Sequence, residues 1–111
     1  MIKINITLDQ KGILKTCLAS GHANAGKIGN DIVCAAVTVL MRTATNILSN
    51  QEGITIKSSA PKKGKLGFNV EYSTAEGLVF LYHTSIFLID GLKSVAQEFP
   101  KNCNLIIQRL K

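Results

Sequence analysis

Residues 31–50, DIVCAAVTVLMRTATNILSN, run for twenty positions without glycine or proline. Their many β-branched side chains favour a strand locally, but strands usually hold only about five or six residues, so the length predicts a helix. With a turn of ~100° per residue from Asp31, Cys34 falls near ~300°, Thr38 near ~340°, Arg42 near ~20°, Thr45 near ~320° and Ser49 near ~0°. These form one polar stripe, while Val33, Val37, Leu40, Ala44, Ile47 and Leu48 fill the other faces. A merely structural cysteine would more naturally sit among the apolar faces, so the placement of Cys34 marks it as a candidate for chemistry.

Before this helix, Ile2, Ile4, Ile6 and Leu8 alternate with Lys3, Asn5 and Thr7, a strand period and not the continuous apolar run of a secretory leader. Asp9-Gln10-Lys11-Gly12 then predicts a tight hairpin turn, and Ile13 to Ala19 a second, antiparallel strand. After the helix, Gln51-Glu52-Gly53 closes it, Ile54 to Lys57 makes a third strand, and Ser58 to Lys65, with Pro61 and Gly64, a loop. Leu66, Phe68, Val70 and Tyr72 alternate with polar or small residues as a fourth strand. Ser73 and Glu76 have capping-box spacing for a second helix that must end before Pro100, and Leu105 to Leu110 is a last strand. The order ββαββαβ predicts a single α+β domain over residues 1–111, a two-layer sandwich with two helices over a mostly antiparallel sheet.

Composition narrows the function. With 46% hydrophobic residues in 111, the chain can bury a core. The most apolar window, Gly77 to Leu92, is broken by His83, Thr84, Ser85 and Asp90, which argues against a membrane span. Cys17, Cys34 and Cys103 are odd in number, widely spaced and without a nearby histidine pair. That disfavours a disulfide framework or a structural metal and fits a reducing cytoplasm. Cys17 falls in an expected strand and Cys103 two residues before the last one, and both read as small apolar residues that pack. The net charge of +6 comes from lysine far more than arginine and is compatible with an anionic partner such as RNA or a ribosome. The second helix carries more apolar circumference than one sheet face can cover, which predicts a homodimer.

A helix beginning near Asn30 or Asp31 would place Cys34 in its first turn, where unpaired N–H groups and the helix dipole favour an anion. His22 lies twelve residues upstream, at the end of a strand, and the intervening Gly26 and Gly29 allow the chain to fold back and join imidazole to thiol. Cysteine with histidine is the minimal nucleophile-and-base unit for acyl transfer, and N–H groups around Cys34 could receive the developing oxyanion. His83 is a second candidate base, although it reads more simply as a polar position beside Thr84 and Ser85.

The strings Ser20-Gly21-His22-Ala23 and Gly29-Asn30-Asp31-Ile32-Val33-Cys34-Ala35-Ala36-Val37 resemble the signature of the ribosomal-processing cysteine protease (Prp) family, and the resemblance extends over nearly the whole chain. It implies a small cytoplasmic, homodimeric protease that needs no metal or cofactor. Its substrate would be large-subunit ribosomal protein twenty-seven, from which it removes a short amino-terminal extension. Carried onto this chain, Cys34 is the nucleophile and His22 the general base, with Asp31 and Gly21 in support. The other reading of Asp31 is an N-cap or ordinary first-turn helix carboxylate. The segment Ala23 to Asn30, including Gly26 and Gly29, corresponds to a loop that gates substrate. The family commonly has serine four residues after the cysteine, where this chain has Thr38, which keeps the hydroxyl and adds a methyl group. Lys62, Lys63 and Lys65 could meet an acidic or ribosomal surface. The principal rival is a non-catalytic RNA- or ribosome-binding module, disfavoured by two arginines only and by the lack of aromatics among the loop lysines. A structural adaptor built on the second helix is a third reading.

Overall fold

A computed structural model describes residues 1–21, 28–59 and 65–111, with the side chains of 28–31 and 59 left out of the description. Strands β1 (Ile2–Leu8) and β2 (Leu14–Ser20) precede helix α1 (Ile28–Ser49). Strands β3 (Ile54–Ser59) and β4 (Lys65–Tyr72) follow, then helix α2 (Ala75–Glu98) and strand β5 (Cys103–Arg109). This is the expected ββαββαβ order. The sheet runs β3-β4-β2-β1-β5, antiparallel except for the parallel β1–β5 pair.

The first hairpin turns where Asp9 and Gly12 dictate. Asp9 Oδ1 accepts from the N–H groups of Lys11 at 2.8 Å and Ile13 at 2.9 Å, and Gly12 takes φ of +83°. Beyond the turn the register shifts, since Thr7 faces Thr16 but Leu8 faces Leu14. The extra residue, Lys15, is a bulge that returns Leu14 to the core face; unbroken alternation would have put it on the same side as Thr16. The core lies between the sheet and the helices, with Ile4, Ile6, Cys17, Phe68 and Val70 from the sheet meeting Val33, Val37, Met41, Leu48, Leu81, Leu88 and Leu92.

Helix α2 begins one residue later than the capping-box spacing predicts. Thr74, not Ser73, is the N-cap, its hydroxyl accepting from Gly77 N–H at 2.9 Å. The Ser73 N–H donates instead to Gly53 O at 2.9 Å, which draws this residue into the preceding turn. Glu76 consequently falls at the second helical position and not the third. The end before Pro100 is as expected, with α2 closing at Glu98.

The two helices run antiparallel in one layer. Gly77, in the first turn of α2, lies against Gly53, just past the end of α1, while Gly91 lies against Leu40. Parts of α1 and α2 are long and apolar enough to cross a membrane by length and composition. In this fold each places one face in the shared core.

Candidate active site

Helix α1 starts at Ile28, two to three residues before the expected start, so Cys34 is its seventh residue. The unpaired N–H groups of a helix belong to its first turn. Cys34 lies beyond them. The expected dipole advantage and the use of Cys34's own backbone as an oxyanion donor are therefore corrected. That N–H is within the helical ladder, and the dipole effect fades after the first turn. The altered start follows from Ile28, an apolar residue able to extend the helix, with Gly29 too weak a breaker to stop it.

The stripe itself is as the sequence indicates. Val33, Val37, Met41, Ala44 and Leu48 are buried. Cys34 and Thr38 are half-buried at the border of that face, and Cys34 packs against the core. The thiol is thus held on one side by apolar contacts and open on the other. Thr38, one turn further along the same face, has its Cβ about 5–6 Å from that of Cys34 by helical geometry. Thr45, lower on the stripe, donates its hydroxyl to Met41 O at 2.7 Å. Ile47, expected on an apolar face, is exposed, as are Ile32 and Val39.

Gly21, the residue after β2, takes φ of +109°, and a side chain there would collide with Met1 O and stand 3.3 Å from Ile2 Cα. Only glycine fits this turn, so the chain entering residue 22 is fixed against the start of β1. His22, Ala23 and Gly26 lie outside the described residues; Gly29, Asn30 and Asp31 are helical in backbone, with side chains outside the description. The loop containing Lys62 and Lys63 is likewise outside it. Lys65, at the start of β4, pairs with Ser20, at the end of β2, so these two described residues lie at the same end of the sheet.

The other titratable candidates separate from Cys34. His83 is exposed, with Nδ1 2.9 Å from Val79 O and its ring edge-on to Tyr82 at 5.4 Å. From the Leu40–Gly91 crossing, Cys34 lies about 9 Å along one helix and His83 about 12 Å along the other, in opposite directions, at 1.5 Å per residue. A base role toward Cys34 is therefore excluded for His83. Cys17 is fully buried, and desolvation pushes its thiol up to about 12; burial also raises Cys103. Both pack as small apolar residues, as expected, leaving Cys34 as the accessible thiol. Among the described residues no group of three His, Cys, Asp or Glu is placed to hold a metal.

A half-buried thiol with a hydroxyl one turn away, on the helix that follows the Gly21 turn in sequence, defines a candidate thiol hydrolase. The model of the cysteine protease Prp family matches residues 1–104, and the chain belongs to that family. It is similar to SMU.848 of Streptococcus mutans, with 26% identity, a TM-score of 0.84 and coverage of 99% of this chain and 96% of that one. The essential ribosomal processing protease Prp of Staphylococcus aureus, solved with a substrate peptide, shares the fold, at 19% identity and a TM-score of 0.80, over 96% of this chain and 99% of that one. In sequence, the Prp of S. aureus strain Mu50 is 33% identical over 48 residues, 43% of this chain and 45% of the relative. The chain thus spans just under half the length of that curated relative in the aligned segment.

Proposed function

We propose that this chain is a cytoplasmic cysteine endopeptidase that removes the short amino-terminal extension of large-subunit ribosomal protein twenty-seven, with Cys34 as nucleophile and His22 as general base. The observation that carries the reading is the isolation of Cys34, the one cysteine of three that is not fully buried, at the edge of the core on a family-matched helix. The Cys34 thiolate attacks the scissile carbonyl carbon and forms a tetrahedral oxyanion. Collapse expels the amine, which takes a proton from the His22 imidazolium. A water molecule, deprotonated by His22, then hydrolyses the thioester and returns the thiol. Thr38 orients the thiol or the bound peptide, Gly21 aims His22, and Asp31 supports the dyad. The gating role expected of Ala23 to Asn30 falls to the part before Ile28, which includes Ala23 and Gly26, because Gly29 and Asn30 are the second and third residues of α1.

The enzyme acts as a homodimer. Val79, Tyr82, Ile86 and Phe87 form an exposed apolar stripe on α2, with Phe87 72% exposed. Beside them Ala75, Val79, Phe80, His83 and Thr84 line a largely apolar hollow of about 530 Å³. A two-fold antiparallel pairing of α2 with its copy would place each Phe87 over the other's hollow.

The test is cleavage of a peptide spanning the extension and the mature start of that ribosomal protein. The native chain is expected to yield one cut, and Cys34→Ala and His22→Ala none. Equal cleavage by Cys34→Ala would remove the proposed chemistry.

A further inference from the structure

Both helices cover the same face of the sheet, and the opposite face lies open with an ordered chemistry. The registers align its outward residues into rows. Lys57, Asn69, Thr16, Thr7 and Gln108 form one, and Lys65, Ser20, Lys3 and Asn104 another, with Gly67, Leu18, Asn5 and Ile106 between. Among the described residues in these rows are three lysines, and the carboxylate of Glu71, paired with Thr55, lies near one edge. The acids Glu52, Glu76, Asp90 and Glu98 belong instead to α2 or to the turn after α1. Lys3 and Lys65 are two strand spacings apart, roughly 10 Å, and Lys57 is offset about 13 Å along the strands. Positive charge is therefore spread over a flat surface, an arrangement suited to an extended polyanion more than to a compact ligand.

A second observation lies within these rows. At Gly67 the missing side chain leaves a hollow of about 330 Å³ lined by Lys57, Asn69, Thr16 and Leu18. A Cβ at Gly67 would stand 2.8 Å from Leu18 Cδ1, so the Leu18 side chain leans over the glycine and forms one wall of the hollow. Lys57, Asn69 and Thr16 border it in one row and carry an ammonium, an amide and a hydroxyl, donor types matched to phosphate oxygens. The described residues of this face include no aromatic side chain, so unstacked bases would find no platform.

We propose that the open face of the sheet binds the phosphate backbone of double-helical RNA, with Lys3, Lys57 and Lys65 as charge contacts and the Gly67 hollow as a phosphate seat. The inference is independent of the proteolytic reading, since none of these residues is placed in the catalytic machinery.

The test is fluorescence anisotropy of a labelled RNA duplex of about 16 base pairs, the span of a typical duplex-RNA domain, titrated with the full chain between 50 and 200 mM salt, conditions chosen to expose counterion release. Saturable binding is expected, with log K against log salt falling at a slope of roughly −2 to −3 for three phosphate contacts. The triple variant Lys3→Glu, Lys57→Glu, Lys65→Glu is expected to weaken binding at least ~tenfold while keeping the native melting curve and the native rate of Cys34 alkylation, because the charges lie on a solvent face. Thr16→Val is expected to give a smaller loss. Absence of binding at the lowest salt would overturn the proposal. So would undiminished binding by the folded triple variant, or equal competition by single-stranded RNA or polyglutamate.

Discussion

Cys34 and Cys17 are the same residue type in opposite surroundings, and their different environments should separate them in solution. Cys17 is enclosed, its thiol held protonated up to about pH 12 by desolvation. In the unfolded chain a cysteine ionises near ~8.5, so above that pH the unfolded state loses a proton that the native state retains. Stability should therefore fall as pH rises from about 9 toward 12, by up to ~1.4 kcal/mol per pH unit from this thiol. Urea midpoints at pH 8, 9 and 10 should slope less steeply in Cys17→Ala than in the native chain; parallel slopes would count against the desolvation account. Thr38 is a different kind of claim, that a hydroxyl one turn from Cys34 assists the reaction. Thr38→Ala should lower kcat/KM about tenfold, the scale of one lost hydrogen bond, and Thr38→Ser by less than ~threefold. Equal rates for the two would take Thr38 out of the site. Gly21 was legible as a family position, but its physical reason, a turn pressed on Met1 O, depends on a contact between chain segments that no local pattern discloses.

At the scale of elements, the long run from Asp31 was readable as a helix because its length overrode β-branched propensity, yet both helix starts were displaced. In α2 the cap moved to Thr74 because Gly53 O captures the Ser73 N–H, a partner twenty residues away. In α1 the earlier start at Ile28 takes Cys34 out of the first turn. If Cys34 is activated, the imidazole must carry more of that work than the helix end. The exposed stripe on α2 was anticipated from its excess of apolar positions, and α1 does not cover it. Burying an aromatic side chain there is worth roughly 1.5–3 kcal/mol per protomer. Phe87→Asp should accordingly shift the sedimenting species from dimer toward the 12.0 kDa monomer without lowering the melting temperature of the monomer. A native chain that sediments as monomer at micromolar concentration would end the dimer reading.

For the whole molecule, alternating strands and two long helices made the two-layer α+β class legible, and the buried faces of β1 and β4 follow their sequence alternation. Strand order was not legible, because β5 joins β1 in parallel across a connection of nearly the whole chain and nothing local specifies that pairing. The open face was invisible for the same reason: Lys3 is more than fifty residues from Lys57 and Lys65 in sequence and shares their face only through the register. The site was legible as residue types and spacing, and the fold adds that His83 is on the wrong end of the helical layer while the other two cysteines are sealed. Those two facts leave the proposed pairing of Cys34 with His22 open to a direct measurement, the rate of iodoacetamide alkylation against pH in the native chain and in His22→Ala. A reactive plateau below pH ~7, the behaviour of an activated thiolate, that disappears without His22 is the expected outcome. An ordinary thiol profile, the same with and without the histidine, would contradict a dyad assembled in the free enzyme.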